Sequence, residues 1–169
     1  MFIAKLAHRN PNINYMGIDI KSEMLGLAKR NIEKEYGIAP INNVLLMSHE
    51  IEIIENIMNN KDIIERIYIN FCNPWPKRTH QKRRLTHTKQ LEKYKVFLKK
   101  EGQIYFKTDD EDLFNSSLKY FEEAGFTIIK KTYDLHSEDN FWVNIITEHE
   151  KMFSSEGIKI KAVIVSKVV

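Results

Sequence analysis

The sequence predicts an α/β protein with a mostly parallel, doubly wound sheet and an antiparallel edge at the C-terminus. Short β-rich runs alternate with amphipathic helical patterns, which is typical of parallel strands joined by helical crossovers. Residues 67–71 form a nearly continuous apolar run, as expected of a strand covered on both faces. The tail differs, because its last β-rich segment, 158–168, follows only a short helical stretch and no crossover helix.

The order of elements follows from the spacing of apolar residues. Met24, Leu25, Ala28 and Ile32, for example, mark one face of a helix that ends near Gly37. The pattern predicts helices over 2–9, 24–37, 51–58, 91–98, 111–121 and 147–153, and strands over 14–19, 44–48, 67–71, 103–107, 127–133 and 158–168.

Two local signals refine the second half. Gly102 is interpreted as a stop signal between the helix before it and the strand over 103–107. Thr108 and Glu111 have the spacing of a capping box, in which each side chain bonds to the other residue's backbone N–H. The helix that follows carries its apolar stripe on Phe114, Leu118 and Phe121.

Length and composition favour one globular domain over residues 1–169. Apolar residues make up 43% and charged residues 29% of the 169 positions, far from the composition of a disordered chain. The sequence shows neither an apolar run of the roughly eighteen residues that a membrane helix needs nor a secretory signal, so a cytoplasmic protein is expected. Cys72 is the only cysteine, which excludes an internal disulfide and a thiolate cage; the six histidines do not have metal-ligand spacing.

Polar side chains stand at or just past the ends of four predicted strands. They are Asp19, Glu50, Asn73 and Asp109. Because ligands of such sheets bind outside the carboxyl ends of the strands, the four are expected to converge on one site. Taken singly, each could instead be a helix N-cap, and for Glu50 and Asp109 that alternative is at least as strong.

The most unusual segment follows the apolar strand over 67–71. Residues 73–76, the proline loop, place two prolines around Trp75, and residues 77–84, the cationic arm, contain five Lys or Arg in eight positions. A charge run is usually a solvated face, but a rigid aromatic beside cations suits base stacking with phosphate contact. Trp75 could equally cover the end of the sheet.

The start of the chain lacks one expected feature. An acid that closes a strand, as Asp19 does, commonly binds ribose hydroxyls about 20 residues after a glycine-rich turn. Counting back from Asp19 reaches the first residue, and none of the six glycines forms a G-x-G. We therefore expect the first strand and its loop to be missing, which would leave sheet edges unpaired or force a weakly stable or rearranged fold.

The chain resembles the bacterial tRNA (guanine-N(7)-)-methyltransferase family over nearly its whole length. The most specific match is residues 73–85, NPWPKRTHQKRRL, close to the family pattern D-P-W-P-K-K-R-H-x-K-R-R-L. Further matches are NYMGID (14–19), FKTD (106–109), DLH (134–136) and TEHE (147–150). This resemblance implies a Rossmann-like methyltransferase fold without the amino-terminal glycine-rich motif. Two departures are Asn73, where the family usually has Asp, and Thr79, which replaces a basic residue.

The resemblance also implies roles for individual residues. The activity would be transfer of a methyl group from S-adenosylmethionine to the 7-nitrogen of a guanine in the tRNA variable loop. Asp19 would hold the adenosyl ribose, Glu50 would lie near the adenine, and Asn73 would lie where donor and base meet, as an orienting residue. The substrate-binding positions would be Lys77, Asp109, Thr147, Glu148, His149 and Glu150; the RNA-contacting positions would be Thr79, His80, Gln81, Lys82, Arg83 and Arg84.

Two functions remain open at this point. One is the tRNA methyltransferase, and the other is an RNA-binding fragment or remnant that cannot hold the methyl donor because the glycine loop is absent. The chemistry itself asks for few catalytic groups, since the 7-nitrogen of guanine carries a lone pair and no proton. Attack on a methyl group therefore needs alignment more than a general base. The sequence does not indicate the oligomeric state.

Overall fold

Residues 1–139 and 141–168 are described by the computed structural model, in which they divide into two units. Unit 1 comprises Met1–Ile53 and Val143–Glu148, and unit 2 comprises the described residues of 54–142 and 149–168. The helices are α1 (Phe2–Arg9), α2 (Ser22–Tyr36), α3 (Thr88–Phe97), α4 (Glu111–Glu123) and α5 (Glu148–Ser155). The strands are β1 (Tyr15–Asp19), β2 (Val44–Ser48), β3 (Ile64–Asn70), β4 (Leu98–Thr108), β5 (Phe126–Thr132) and β6 (Lys161–Lys167). Short 3-10 helices span Ile51–Asn56, Arg78–Arg83 and Leu135–Ser137.

Unit 1 is built on two parallel strands. β1 pairs with β2 in the register that sets Tyr15 opposite Val44 and Asp19 opposite Ser48. Its buried apolar cluster consists of Ala4, Ala7, Ile32 and Tyr36 from α1 and α2.

A buried polar residue ties the loops of unit 1 together. The Nδ2 of Asn43 donates to the carbonyls of Ala7, Asn10 and Ile13 at 3.0–3.2 Å, and its Oδ1 accepts from the hydroxyl of Tyr36 at 2.6 Å. The amide thereby joins the last turn of α1 to the loop that follows it.

Unit 2 carries a four-stranded sheet in the order β3-β4-β6-β5. β3 and β4 are parallel, whereas β6 runs antiparallel to both β4 and β5. Fully buried side chains of α4 and β4 form much of the core. The Phe106 and Phe114 rings stack there with centroids 6.3 Å apart, and the Phe121 ring meets the Phe126 ring edge-on at 6.1 Å. The apolar stripe of α4, Phe114, Leu118 and Phe121, is buried as the sequence predicts.

The predicted fold class is confirmed, with one refinement of the strand order. The strand over 161–167 does pair antiparallel, but it lies between β4 and β5 and leaves β5 at the edge. Within the described part of the chain, β1 pairs only with β2 and β3 only with β4. Both are edge strands of their sheets, and the expected weakly stable or rearranged fold stays a prediction.

Three local predictions are wrong. Residues 51–56 form a 3-10 helix kinked at Ile53 (φ −119°, ψ 34°), not an α-helix to Met58. Gly102 lies inside β4, where the register shifts against β3 and Glu101 adopts φ +60°, so it permits a bulge and does not precede the strand.

The third wrong prediction is the capping box of Thr108 and Glu111 at the start of α4. Asp110 caps the helix, its side chain accepting from the Leu113 N–H at 2.6 Å, while the Thr108 hydroxyl accepts from the Asp110 N–H at 3.1 Å. The acidic cap two residues later replaces the predicted box because a carboxylate is the stronger acceptor at a helix N-terminus.

None of the helices formed by residues 1–139 and 141–168 combines the length and the apolar character needed to cross a bilayer.

Candidate functional site

Two carboxylates lie at the carboxyl edge of the unit 1 sheet. Asp19 is the last residue of β1, and its Oδ1 accepts from the Lys21 N–H at 2.8 Å. Asp19 pairs with Ser48, and its carbonyl accepts from the His49 N–H at 3.2 Å, so Glu50 follows the end of β2 at the same edge. Both side chains are partly exposed. The parallel register therefore brings this predicted pair together.

A second pair lies at the carboxyl edge of the unit 2 sheet. Asn73 follows β3 and Asp109 follows β4, and these two strands are parallel with Asn70 opposite Lys107. The Asn73 Oδ1 accepts from the Trp75 N–H at 3.0 Å, so the residue forms the turn that was the alternative interpretation of its position. Convergence of this pair with Asp19 and Glu50 stays a prediction.

The proline loop is held in a strained backbone. Phe71 and Trp75 have positive φ angles of 52° and 44°, which non-glycine residues rarely adopt. The Phe71 N–H donates to the Lys107 carbonyl at 2.9 Å, continuing the pairing of β3 with β4 up to the loop. Such strain persists only when surrounding contacts fix the chain, and it is concentrated at functional sites.

Arg84 supplies the contacts that fix the loop from inside. Its side chain is 3% exposed; its Nε donates to the Pro74 carbonyl at 2.7 Å, and its Nη2 lies 3.5 Å from the Trp75 carbonyl. Nη1 is buried and finds no hydrogen-bond acceptor among the described residues. The last cation of the arm therefore points into unit 2, which a run of basic residues does not indicate.

The rest of the cationic arm lies on the surface as a 3-10 helix. Arg83 is exposed and places its guanidinium carbon 4.3 Å from the centroid of the Trp75 ring, while the His80 ring meets Trp75 edge-on at 5.7 Å. Trp75 is thus half-buried between two arm residues and orients them. Exposed arm residues are Lys77, Arg78, Thr79, His80, Lys82 and Arg83, and Gln81 is half-buried.

A polar cavity of about 390 Å³ adjoins the loop. Its lining includes Pro74, Pro76 and Arg84, and Asp110 and Asp112 at the start of α4. Because acidic and basic side chains both line it, the cavity suits a ligand with both hydrogen-bond donors and acceptors.

A buried charged cluster joins β4 to α5. Glu150 in α5 is fully buried, and its Oε2 accepts from the Lys107 ammonium at 2.5 Å; Lys107 is 1% exposed. The His136 Nε2 lies 3.2 Å from the other oxygen, Oε1, and the His136 side chain is 36% exposed. Burial lowers the pKa of Lys107 below its ordinary value, and the hydrogen bond to Glu150 opposes part of that shift.

Aromatic rings surround this cluster. The Lys107 ammonium lies 5.9 Å from the centroid of the Phe71 ring, and that ring stacks on His149 at 6.2 Å and on Phe153 at 5.8 Å. The predicted substrate-binding residues of the TEHE motif are therefore placed differently from one another. His149 and Glu148 are exposed, Glu150 is buried in unit 2, and Thr147 is half-buried in unit 1.

Two other kinds of chemistry find little support. Burial raises the pKa of the Cys72 thiol to about 12, so this cysteine is a poor nucleophile at neutral pH. Among residues 1–139 and 141–168, no three His, Cys, Asp or Glu side chains gather in a way that could hold a metal ion.

Sequence reasoning missed Lys107 and His136. The signal for Lys107 was its place at the end of an apolar strand, between Phe106 and Thr108, where a buried cation requires an acidic partner. No sequence signal identifies that partner, because Glu150 is 43 residues away.

Comparison with known proteins places these features in context. A family model described as "Putative methyltransferase" matches residues 1–163. The tRNA (guanine-N(7)-)-methyltransferase of Clostridium beijerinckii is 61% identical over 168 residues, covering 98% of this chain and 76% of that protein. The enzyme of the same name from Ruminiclostridium cellulolyticum is 60% identical over 166 residues, covering 96% of this chain and 70% of that protein.

Solved structures agree on the fold. An antibiotic-related methyltransferase superposes with a TM-score of 0.65 at 24% identity, covering 99% of this chain and 82% of that one. A methyltransferase from Pyrococcus furiosus gives a TM-score of 0.60 at 17% identity, covering 99% and 69%. At these identities the likeness establishes the Rossmann-like methyltransferase architecture.

Proposed function

The chain belongs to the tRNA (guanine-N(7)-)-methyltransferase family, and from that premise we propose that it methylates the 7-nitrogen of a guanine in the variable loop of tRNA, with S-adenosylmethionine as methyl donor. The observation that carries the proposal is the braced proline loop. It presents an exposed cationic 3-10 helix whose direction is fixed by Trp75 and by the buried Arg84. The proposal also places the protein in the cytoplasm with tRNA as its partner.

The acids of unit 1 fit the polar part of the donor. Asp19 and Glu50 stand at one sheet edge, and carboxylate oxygens there suit the hydroxyls of a ribose and the amino group of an adenine. When bound, the donor supplies a methyl group on a positively charged sulfur. We propose that Asp19 accepts hydrogen bonds from the ribose and that Glu50 orients the adenine.

The cationic arm suits the RNA backbone. Lys82 is exposed, and Arg83 presents its guanidinium against Trp75, so both offer positive charge in a fixed place. Contacts to phosphates position a nucleic acid without reading its sequence. We propose the same backbone role for Thr79, His80 and Gln81. A direct phosphate contact by Arg84 stays a prediction, and its burial favours a role in holding the loop.

The base itself needs positioning. Because the 7-nitrogen has a free lone pair, methyl transfer depends on alignment, and a positive charge develops on the purine as the bond forms. Asn73 offers a carbonyl acceptor but no negative charge. We therefore propose that it orients the base, and that Lys77, Asp109 and the residues of the TEHE motif hold the substrate.

Methyl transfer to unmodified tRNA tests the proposal. A tRNA transcript incubated with the protein and labelled donor is expected to yield 7-methylguanosine on nucleoside mass spectrometry, and a transcript with adenine at the variable-loop guanine is expected to yield none. If calorimetry shows tRNA binding without donor binding, the chain is instead an RNA-binding remnant. If neither ligand binds, both functions are contradicted.

The salt dependence of tRNA affinity tests the arm separately. Lys82→Ala is expected to weaken binding and to reduce the slope of log affinity against log salt by about one unit, because one phosphate is no longer neutralised. Lys100→Ala, an exposed lysine in β4, is the matched control and should leave the slope unchanged. Equal slopes for the two variants would show that Lys82 does not contact a phosphate, and would contradict the proposed role of the arm.

A further inference from the structure

The buried pair of Lys107 and Glu150 includes one of the residues proposed above to hold the substrate. Guanine carries N–H donors on its Watson–Crick edge, opposite the 7-nitrogen that would receive the methyl group. A carboxylate oxygen accepts hydrogen bonds from these N–H groups. It cannot bond in this way to adenine, whose 1-nitrogen is an acceptor at the same position. Glu150 is a buried carboxylate among apolar and aromatic neighbours, where hydrogen bonds discriminate most strongly.

The two oxygens of Glu150 face different partners. Oε2 contacts Lys107, which is buried within β4, whereas Oε1 contacts His136, whose side chain is one third exposed on a short 3-10 helix. The Lys107 contact is rigid because its backbone pairs with both β3 and β6. The partner of Oε1 is therefore one that solvent reaches, although Glu150 itself is fully buried.

We propose that Lys107 is a positioning residue that holds the Glu150 side chain through Oε2, and that His136, on Oε1, occupies the place which the N–H donors of the substrate guanine take on binding. This rests on the proposed function. Lys107 does not touch substrate; it acts through Glu150. His136 is a placeholder in the sense that it contacts the Glu150 side chain when no guanine is bound. Without such a contact, a charge on the buried carboxylate would lower the stability of the fold.

Four single variants and one double variant test the inference. Lys107→Met removes the charge from a long side chain, and a folded protein is expected to lose about 100-fold in kcat/KM for tRNA, with donor affinity changed less than about twofold. Glu150→Gln should lose as much. His136→Ala should retain kcat/KM within about threefold, because the substrate replaces that contact.

Unfolding measurements provide the control for structural damage. Removing one partner of a buried pair leaves the other uncompensated, so Lys107→Met alone is expected to lower the melting temperature by roughly 6–20 °C. Lys107→Met combined with Glu150→Gln should recover most of that loss, since the charge is gone, while activity on tRNA stays low. Lys107→Arg, which keeps the charge, should retain more activity than Lys107→Met.

The outcomes separate this inference from the proposed function. A wild-type protein that methylates no tRNA contradicts the proposed function, and the melting temperatures still decide whether Lys107 holds Glu150. An active wild type with an equally active Lys107→Met overturns the positioning role. A His136→Ala variant as impaired as Glu150→Gln shows that His136 itself contacts substrate and overturns its role as placeholder. Additive melting-temperature losses in the double variant overturn the pairing.

Discussion

The two units differ in how well they bury their apolar residues. The buried apolar cluster of unit 1 has four members, two of them alanines, and Asn43 satisfies several of its loop carbonyls. Unit 2 buries consecutive residues of β6 within its four-stranded sheet and contains the larger side chains that are fully enclosed, such as Phe106, Phe114 and Phe121. Ile38, Leu45 and Val143 of unit 1 are at least half exposed.

This difference in packing bears on how firmly each unit holds its structure. Burial of apolar surface is the main favourable term in folding, so unit 2 is expected to hold its structure more firmly than unit 1. The proline loop, the cationic arm and the Lys107–Glu150 pair all belong to unit 2, while the proposed donor contacts of Asp19 and Glu50 belong to unit 1. On the proposed roles, the arm that would contact the tRNA backbone belongs to the better packed unit, and the two acids that would contact the donor belong to the less packed one.

The largest expected effect comes from a matched pair of core substitutions. Ile104 in β4 is 0% exposed and Ile32 in α2 is 4% exposed. Ile104→Ala is expected to cost about 4 kcal/mol and Ile32→Ala about 2 kcal/mol, because small neighbours collapse more readily around the space left by the removed atoms. Urea unfolding followed by tryptophan fluorescence reports on unit 2 alone, since Trp75 and Trp142 both lie there.

The fluorescence midpoint then sharpens the comparison. Ile104→Ala should lower it strongly, and Ile32→Ala should leave it nearly unchanged while lowering the ellipticity transition of unit 1. An equal shift for both variants would show that the two units unfold as one.

A pair of glycine substitutions gives the next largest effect. A Cβ at Gly102 would lie 2.7 Å from the Lys99 carbonyl oxygen and 2.8 Å from Leu98 side-chain atoms, whereas a Cβ at Gly17 would meet the Leu46 Cδ2 at 2.8 Å and the Ile3 Cδ1 at 3.0 Å. Backbone cannot move aside as a side-chain tip can. Gly102→Ala is expected to destabilise unit 2 by about 2–3 kcal/mol, and Gly17→Ala to cost unit 1 less than about 1 kcal/mol.

The loss of unfolding free energy is measured by fluorescence for Gly102→Ala and by ellipticity for Gly17→Ala. A larger loss for Gly17→Ala would mean that unit 1 is packed more rigidly than its small core suggests.

The smallest effect is the pH dependence of unit 2. His87 caps α3 by accepting from the Lys89 N–H at 3.1 Å through Nδ1, and burial lowers the pKa of His87. The unfolded chain therefore binds a proton more readily than the folded one, so this stability is present above the ordinary histidine pKa and is lost as pH falls through that range. Solvent exposure limits the loss to about 0.5 kcal/mol or less between pH 7 and pH 5.

His87→Asn keeps a capping acceptor that does not titrate, and it should flatten this part of the fluorescence-detected pH profile. His8→Asn, a histidine of unit 1, is the matched control and should leave the profile as in the wild type. Identical profiles for wild type and His87→Asn would exclude the cap as the source.

The sequence predicted the order of elements because each one has its own periodicity. The stripe of Phe114 and Phe121 and the apolar run before the proline loop are local signals of this kind. The position of β6 between β4 and β5 is not local, since strand order depends on which edges remain free. The prediction that Gly102 stops a helix is wrong because a glycine that ends a helix and a glycine that permits a bulge in a strand look alike in sequence.

The sequence predicted where several candidate residues stand along the strands but not how they pack; their chemical roles stay predictions. The carboxyl-edge positions of Asp19 and Asn73 follow from strand ends, which the sequence shows. The burial of Arg84 inside the proline loop does not follow, because neighbouring cations usually share an exposed face. The partnership of Lys107 with Glu150 joins distant segments, and only tertiary structure reveals it.

One measurement tests most directly whether unit 2 contacts the tRNA backbone while unit 1, the less firmly packed of the two, contacts the donor. Hydrogen exchange followed by mass spectrometry would be recorded for the protein alone, with tRNA, and with S-adenosylmethionine. We expect faster exchange in β1 and β2 than in β4 and β6, protection of 73–84 by tRNA, and protection around Asp19 and Glu50 by the donor. Equal exchange rates in both sheets would contradict the difference in packing. Protection of the same segments by both ligands would contradict separate binding regions for tRNA and donor.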